Sequence, residues 1–545
     1  MINPKGITMK QTILFLLLTC SAVFGQTEDA WVYFSDKPNA QVFFANPLAE
    51  LTQRSLDRRT TQGIALDIKD APLYQTYVDQ ITNTPGITVL AKSKWLNLLH
   101  VQGTQANIAA LANLAFVSRI QYANHSLNPG GRMAPREGRT TKTNKWLDTQ
   151  ENFNYGNSAN QVQMLNCHIL HQQSHTGEGK IIAIMDAGFP GVNTAAPFQR
   201  LRNNGLILGG YNFVANSANY YTGNSHGTNV LSTMGGYATN LVGTAPDAHY
   251  YLFITENIAS ETPLEETNWI EAAEEADRLG VDVINTSLGY FEYDNTNYSY
   301  TYAQMNGAVS VMARAVDVAF SRGMICVTSA GNSGAGAEPH IATPADAVLN
   351  VTVGSVTSTE TKSGFSSIGP SADGRIKPDL MAMGSASVIS NTAGTITTSN
   401  GTSFSSPILA GAITSFWSAF PNKTNAEIVQ LVKSSADRYA TPDNNFGYGI
   451  PDFQAALNTA LSSDEFESER IGMYPNPVKD ELTLNMPEQF LGTQIVLYNV
   501  FGQKVKEVQI LARNQKISMH NLNSGVYFYA ILNSGQSISG KLIKE

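Results

Sequence analysis

Residues 401–411 read Gly401-Thr402-Ser403-Phe404-Ser405-Ser406-Pro407-Ile408-Leu409-Ala410-Gly411. Small residues surround Ser403, and the apolar run from Ile408 to Phe420 that follows predicts a buried helix. A serine at a helix N-terminus lies where unpaired backbone N–H groups and the positive end of the helix dipole meet. That position suits a nucleophile whose attack creates an oxyanion, although serine is also an ordinary helix cap. Gly401 would allow close approach of another backbone segment, and Pro407 is expected in or near the first helical turn.

Three further polar residues stand at the ends of predicted strands or the starts of predicted helices. Asp186 follows the buried run 181–185, His226 precedes Gly-Thr and an apolar segment, and Asn332 follows the strand-like run 324–328. Parallel sheets place their functional sites at the carboxyl ends of the strands. Each residue taken alone is more often a turn or structural residue. Their order along the chain, Asp-His-Asn-Ser, differs from the His-Asp-Ser and Ser-Asp-His orders of other serine hydrolases.

This order, together with the string Gly-Thr-Ser-x-Ser-x-Pro-x-x-Ala-Gly, resembles the subtilases, the subtilisin-like serine proteases, over roughly residues 161–457. The resemblance implies an α/β fold with a subtilisin-like parallel sheet flanked by helices. It also implies that Asp186, His226 and Ser403 form the catalytic triad. Asn332 and the backbone N–H of Ser403 would then bind the oxyanion. Ala187 is a minor departure, because many members have Ser or Thr at that position.

The same resemblance assigns the substrate-binding residues. Ser287, Leu288 and Gly289 follow the strand-like run 281–285. In subtilases the matching segment pairs with the substrate backbone as an added strand and forms a wall of the primary specificity pocket. Ala330 and Gly331, next to Asn332, are the other substrate-binding residues that the resemblance implies.

The sequence therefore predicts a secreted serine endopeptidase that acts on protein or peptide substrates through an acyl-enzyme. No cofactor is required for this chemistry, and no residues at metal-ligand spacing accompany His226. A structural calcium ion is an expectation from the resemblance alone, with the loop Glu292–Asn297 as its candidate site. Two alternatives are a catalytically inactive subtilase fold used as a surface binding protein and a nonproteolytic adhesin. Neither alternative needs the four polar residues in this order.

The first 25 residues predict a secretory signal peptide. Lys5 and Lys10 precede the apolar run 13–18, and Met9 is a second candidate start. A lipoprotein signal through Cys20 is a weaker alternative, because Thr19 is bulkier than the residue usual before a lipidated cysteine. No other run of about 18 apolar residues occurs, so no transmembrane segment is expected.

The composition limits the expected partners and the expected oxidation state of the cysteines. A net charge of −9 without a basic stripe argues against a nucleic-acid partner. Outside the leader only Cys167 and Cys326 remain. They could pair, but two buried free thiols are the expected state.

Between the leader and the peptidase, residues 27–122 predict a small α+β unit. Strands at 31–34, 87–90, 95–101 and 116–120 and helices at 47–61 and 104–114 give the ferredoxin-like order. This unit resembles the inhibitory propeptide of subtilases by order and position; an unrelated binding domain is the alternative. Residues 123–150 contain five basic residues and few apolar ones, which indicates an exposed linker in which maturation cleavage would occur.

The peptidase domain is predicted at 151–460, followed by an acidic linker at 461–472 and a small all-β sandwich at 473–545. Tyr-Pro-Asn-Pro at 474–477, the turn at 498–502 and the segments 522–527 and 540–544 resemble the C-terminal sorting domain of type IX secretion cargo. That resemblance implies the type IX secretion machinery as a partner. It also implies export across a bacterial outer membrane to the cell surface or the medium. A substrate- or carbohydrate-binding module is the alternative.

Overall fold

The computed structural model describes residues 27–128, 153–468, 472–486, 490–533 and 536–545. The predicted signal peptide and most of the predicted basic linker lie outside these residues. We refer to residues 27–128 as the N-terminal unit, 153–468 as the central unit and 472–545 as the C-terminal unit. Among the helices described, none is long and apolar enough to cross a membrane.

The N-terminal unit contains β1 (Thr27–Phe34), α1 (Ala40–Ala45), α2 (Gln53–Thr61), α3 (Gln75–Thr82), β2 (Ile87–Ser93), β3 (Leu98–Thr104), α4 (Gln105–Ala110) and β4 (Val117–Tyr122). Its four strands form an antiparallel sheet in the order β2-β3-β1-β4. Buried residues of α3 and α4, Ile81 and Ile108, share an apolar cluster with strand residues on one face of this sheet.

One helix of this unit differs from the prediction. The sequence indicated a single helix over 47–61 as the crossover between the first two strands. In the structure the crossover helix that packs on the sheet is α3, whereas α2 packs elsewhere, against the central unit. The pattern of α2 is dominated by charged residues, including Arg58 and Arg59, so periodicity alone could not identify its partner.

The first half of the central unit contains α5 (Ala159–Gln163), α6 (Cys167–Gln172), β5 (Ile181–Asp186), α7 (Gln199–Asn203), β6 (Ile207–Asn212), α8 (His226–Gly235), β7 (Tyr237–Ala238), β8 (Leu241–Val242), β9 (His249–Ile254) and α9 (Pro263–Leu279). The second half contains β10 (Val283–Thr286), α10 (Val311–Ser321), β11 (Ile325–Ser329), β12 (Val351–Val356), β13 (Leu380–Met383), β14 (Ser387–Ser390), β15 (Ile396–Ser399), α11 (Thr402–Ala419), α12 (Asn425–Ser434) and α13 (Phe453–Ser468).

Seven of these strands form one parallel sheet in the order β13-β12-β11-β10-β5-β9-β6. The inner strands are continuous apolar runs because both faces of a parallel sheet are covered by helices. The register pairs Thr286 of β10 with Met185 of β5 and with Thr328 of β11. The carboxyl ends of these strands therefore lie side by side, which confirms the predicted α/β fold.

Two apolar clusters occupy the two faces of the sheet. One contains α8 and α11 residues, such as Leu231 and Phe416. The other contains α9 and α10 residues together with Trp31 and Trp95 of the N-terminal unit. The second face of the N-terminal sheet is thus packed against α9 and α10, and the two units share one core.

Both remaining cysteines, Cys167 and Cys326, are buried free thiols, as predicted. Burial raises the pKa of each thiol above its usual value. A buried neutral thiol behaves as a small apolar side chain, so these residues contribute to packing.

The C-terminal unit contains β16 (Gly472–Tyr474), β17 (Glu481–Asn485), β18 (Gln494–Tyr498), β19 (Lys504–Gln509), β20 (Asn514–Ser518), β21 (Gly525–Asn533) and β22 (Gln536–Lys544). They form two antiparallel sheets, β16-β17-β20 and β19-β18-β21-β22. Alternate residues such as Leu482, Leu484, Ile495 and Leu497 point into a shared core, as in a β-sandwich. Helix α13 runs to Ser468, into the interval predicted as an acidic linker.

Candidate active site

Asp186 and His226 lie together at the carboxyl end of the parallel sheet. Asp186 is the last residue of β5 and is fully buried. Its Oδ1 accepts a hydrogen bond from the backbone N–H of Ala187 at 2.7 Å and lies 2.8 Å from Nδ1 of His226. The carboxylate therefore fixes Nδ1 as the protonated ring nitrogen and leaves Nε2 free to accept a proton.

This close approach depends on Gly227, the second residue of α8. A Cβ at that position would lie 2.5 Å from the carbonyl oxygen of Gly188, 2.7 Å from the ring of Phe189 and 3.0 Å from Cβ of Asp186. Any side chain would push the first turn of α8 away from β5. The Gly after His226 is therefore a steric requirement of the aspartate–histidine contact.

Ser403 is the second residue of α11, and Gly401 precedes the helix with φ of +148°, a conformation that favours glycine. Pro407 was expected in or near the first turn, but it lies inside the helix. At that position it cannot donate to the carbonyl oxygen four residues earlier, which is that of Ser403. The hydroxyl of Ser287 donates to this carbonyl instead, at 2.9 Å.

Two further buried polar side chains are linked by hydrogen bonds to the Ser287 hydroxyl. Ser406 Oγ donates to Oδ1 of Asn285 at 2.9 Å, and Nδ2 of Asn285 donates to Oγ of Ser287 at 3.1 Å. Asn285 and Ser406 are completely buried. Sequence reasoning did not single out either residue; the available signal was a polar side chain within an otherwise apolar strand.

Asn332 is positioned as a hydrogen-bond donor beside Ser403. Its Oδ1 accepts from the backbone N–H of Thr402 at 2.9 Å and from the Thr402 hydroxyl at 3.0 Å. The amide Nδ2 consequently faces the opposite way, toward solvent. Within the described residues neither this Nδ2 nor the N–H of Ser403 donates to a protein acceptor, so both are available to a ligand oxygen.

The hydroxyl of Ser403 donates to the carbonyl oxygen of Ser287 at 3.3 Å. No hydrogen bond joins it to His226 within the described residues, although the aromatic ring of Phe404, the next residue, lies 6.1 Å from the imidazole. Hydrogen bonds of catalytic groups are often loose without substrate and tighten when substrate binds.

Electrostatics favour the protonated form of His226. Burial opposes the charged ring, but the carboxylate of Asp186 and, more weakly, that of Glu256 outweigh it and raise the pKa of His226 above 6.5. Glu256 follows β9, the strand next to β5, and its own pKa is raised to about 7 mainly by burial. Tyr290 donates to Glu256 at 2.7 Å. Sequence reasoning missed Glu256, because only strand pairing brings it near His226.

The predicted substrate-binding residues lie around the same sheet edge. Leu288 and Gly289 follow β10 and are progressively more exposed, which leaves this segment open on its solvent side. Ala330 is buried, with its N–H bonded to the carbonyl of Val353 at 2.9 Å. Gly331, with φ of +103°, turns the chain from β11 toward Asn332.

Two of the candidate calcium ligands in the loop 292–297 accept backbone hydrogen bonds. Asp294 Oδ2 accepts the N–H of Glu261 and Asn295 Oδ1 accepts that of Asn297, so these oxygens already have donors. Among the described residues, one group of three carboxylates has ligand atoms within 4.8 Å of one another: Glu256, Glu261 and Glu265. Both oxygens of Glu265 accept backbone N–H groups, from Asn257 and Thr262.

A parallel sheet that carries Asp186, His226, Asn332 and Ser403 at one edge defines the class of serine peptidases with the Asp-His-Ser order. The subtilase family model matches residues 177–449, which is half of the chain, and the chain belongs to this family. The protein is therefore a serine-type peptidase.

Individual relatives support this assignment. The chain is 29% identical over 300 residues to subtilisin NAT of Bacillus subtilis subsp. natto, across 54% of this chain and 70% of that protein. Subtilisin DY of Bacillus licheniformis is 28% identical over 291 residues, across 53% of this chain and 93% of that protein. The epidermin leader peptide processing serine protease of Staphylococcus aureus has a similar fold, with a TM-score of 0.52 at 16% identity, over 80% of this chain and 99% of that chain.

The flanking units also match family models. Residues 29–144 match the peptidase S8 propeptide domain of Bacteroidota, and residues 472–545 match the secretion system C-terminal sorting domain. Both predicted resemblances are confirmed. The sorting domain indicates secretion or export to the cell surface.

Proposed function

We propose that the chain is the precursor of an endopeptidase that cleaves peptide bonds through Asp186, His226 and Ser403. The proposal rests above all on the 2.8 Å contact between His226 Nδ1 and Asp186 Oδ1, beside a serine at a helix N-terminus. In this mechanism Ser403 attacks the scissile carbonyl and His226 Nε2 takes its proton. Asp186 holds the ring and stabilises the imidazolium.

The oxyanion formed in this attack would accept hydrogen bonds from Asn332 Nδ2 and the N–H of Ser403. His226 then returns its proton to the leaving amine, and an acyl-enzyme remains on Ser403 Oγ. A water molecule that His226 deprotonates then attacks the ester. The Ser403–acyl bond breaks, His226 returns the proton to Ser403 Oγ, and the second product leaves as a carboxylic acid. No metal or organic cofactor takes part in these steps.

Substrate would bind as an added strand along Ser287–Gly289, with Ala330 and Gly331 on the other side of the pocket. The open edge after β10 supports this placement. Protein or peptide substrates and the type IX secretion machinery are the proposed partners. The boundaries 1–25, 27–122, 123–150, 151–460, 461–472 and 473–545 remain predictions within this proposal.

The test is hydrolysis of casein and a varied peptide library by the purified chain and by Ser403→Ala, with intact mass followed over time. Ser418→Ala is the matched control, because Ser418 lies on the same helix and its hydroxyl donates to the carbonyl of Ser415 at 2.7 Å. We expect peptide hydrolysis and cleavage of the chain between the N-terminal and central units in the wild type and the control, and neither in Ser403→Ala.

Labelling with a fluorophosphonate probe further distinguishes an active serine peptidase from an inactive surface binding protein. A mass increase on the peptide that contains Ser403 would show an activated nucleophile. If the folded wild type neither hydrolyses peptides nor reacts with the probe, the inactive surface binding protein becomes the better description.

A further inference from the structure

Three carboxylates lie together at the sheet edge that carries the proposed catalytic residues. One oxygen from each of Glu256, Glu261 and Glu265 lies within 4.8 Å of the others. Glu256 follows β9, Glu261 lies in the loop after it, and Glu265 belongs to the first turn of α9. We refer to these three residues as the acidic cluster.

Strand pairing places the acidic cluster next to Asp186. Ile254 of β9 pairs with Asp186 of β5, and Glu256 stands two residues further along the chain. Tyr290, which follows the segment Ser287–Gly289, donates to Glu256 Oε2 at 2.7 Å. Because β5 lies between β9 and β10, this hydrogen bond joins the segments on the two sides of Asp186. Glu256 therefore borders the segment to which a substrate would pair.

Within the described residues no lysine or arginine forms an ion pair with the acidic cluster. Both oxygens of Glu265 are bound by backbone N–H groups. Glu256 is only 9% exposed, and its Oε1, unlike its Oε2, accepts no hydrogen bond from the described part of the chain. The carboxylate of Glu261 is exposed and likewise has no donor there. A nearly buried carboxylate oxygen is thus left for a ligand.

The carboxylates also disfavour one another's charge. Burial raises the pKa of Glu256 to about 7, and Glu261 adds to this increase. Burial, followed by the charge of Glu256, raises the pKa of Glu265 to about 8. A buried carboxylate without a partner is costly, and a positive charge beside it lowers that cost. The acidic cluster is therefore suited to a cationic ligand.

An extended substrate would present one side chain to the acidic cluster. We call P1 the residue whose carbonyl Ser403 attacks, and P2 the residue before it. The P1 pocket proposed above lies between Ser287–Gly289 and Ala330–Gly331, which follow β10 and β11. Consecutive side chains of an extended strand point to opposite sides. The P2 side chain would then point away from this pocket, toward His226 and Glu256, which is near enough to raise the pKa of His226.

We propose that the acidic cluster is the P2 subsite of this peptidase and selects substrates that carry arginine or lysine at P2. The inference rests on the proposed function, because it assumes that Ser403 attacks the substrate. Glu256 Oε1 accepts hydrogen bonds from the charged head group, and Glu261 adds negative charge from the solvent side. A guanidinium has five N–H donors in a planar fork and can bind two carboxylates at once, so arginine is preferred to lysine.

The chain's own linker contains side chains of this chemistry. The interval 123–150, in which maturation cleavage is predicted, has five basic residues: Arg132, Arg136, Arg139, Lys142 and Lys145. Their charge is opposite to that of the acidic cluster. A basic P2 residue is therefore available at the place where this precursor is expected to be cut.

The experiment compares four internally quenched peptides, built on the best substrate of the peptide library and identical except for arginine, lysine, citrulline or glutamate at P2. Citrulline is the neutral isostere of arginine. A metal chelator is present, so that no metal ion competes for the carboxylates. We expect kcat/KM to be at least about tenfold higher for arginine than for citrulline, because hydrogen bonds to charged groups are the stronger ones. Glutamate should give the lowest value.

Variants assign this preference to the acidic cluster. Glu256→Gln keeps an oxygen that can accept from Tyr290 and should bring the arginine-to-citrulline ratio of kcat/KM close to one. Glu261→Gln, at an exposed position, should lower the ratio by a smaller factor. Glu178→Gln is the matched control, because Glu178 is exposed and precedes β5, at the opposite edge of the sheet. Each ratio compares two peptides on one variant, so a change in the pKa of His226 cancels.

Binding to Ser403→Ala separates this inference from the proposed function. Affinities for the arginine and citrulline peptides are measured by fluorescence anisotropy. Tighter binding of the arginine peptide would support the acidic cluster even if the wild type cleaved nothing, a result that would refute the peptidase. Cleavage without a P2 preference, or equal ratios in the wild type, Glu256→Gln and Glu261→Gln, would overturn the inference and leave the peptidase standing. Equal affinities, or no measurable binding of either peptide, would also overturn it.

Discussion

Ser287 and Ser403 exchange two hydrogen bonds: the hydroxyl of Ser287 donates to the carbonyl of Ser403 at 2.9 Å, and the hydroxyl of Ser403 donates to the carbonyl of Ser287 at 3.3 Å. The first bond exists because Pro407 removes the helical donor for the Ser403 carbonyl. It joins the strand that would bind substrate to the helix that carries the proposed nucleophile.

Ser287→Ala should lower both activity and stability. The carbonyl of Ser403 would lose its donor, at a cost of about 1–2 kcal/mol, and the position of Ser403 would be less well defined. We expect a lower melting temperature and a lower kcat, measured by thermal unfolding and steady-state kinetics. Adding Pro407→Ala restores a helical N–H to that carbonyl and should recover part of the loss. An undiminished kcat in Ser287→Ala would contradict this role.

Asn332→Ala should reduce kcat with little change in KM, because its Nδ2 would contact only the oxyanion. Loss of one such donor in subtilisin costs about 10²–10³ in kcat. Asn332→Asp, which retains the acceptor for Thr402 but replaces the donor with a negative charge, should be at least as slow. If Asn332→Asp keeps wild-type kcat, the donor is not used.

The pH dependence of kcat/KM should reflect the pKa of His226. Catalysis needs the neutral ring, so activity rises as His226 loses its proton, and a raised pKa places this acid limb above pH 6.5. Glu256→Gln removes one carboxylate that raises this pKa and should move the limb to lower pH by less than about one unit. Glu178→Gln, at the opposite edge of the sheet, should leave the limb unchanged. A limb that moves upward in Glu256→Gln would contradict the assignment.

Gly227→Ala should disrupt the aspartate–histidine contact. The added methyl group would overlap the carbonyl of Gly188 and crowd Asp186, at a cost of about 1–3 kcal/mol. We expect a lower melting temperature and a large loss of kcat. Gly364→Ala is the control, because a Cβ there would meet no atom of the described part of the chain within 4 Å. If Gly227→Ala and Gly364→Ala have the same melting temperature and the same kcat, α8 can shift without loss of stability or activity.

The sequence by itself determined the parallel sheet, the four polar residues at its edge and the nature of the flanking units. Strands buried on both faces must be continuous apolar runs, and site residues must follow their carboxyl ends. Both constraints are local, so they are visible in the order of residues. The predicted free thiols follow from composition in the same way.

Only the tertiary structure decided the contacts between segments far apart in the chain. Pro407 lies inside the helix and cannot donate to the carbonyl of Ser403. Ser287, more than 100 residues earlier in the chain, supplies the donor instead. Glu256 comes near His226 because β9 pairs with β5, and two arginines of α2 pair with Asp277 of α9 through charge complementarity that has no periodic pattern. Such pairings depend on which surfaces the fold brings together, and no short stretch of sequence encodes them.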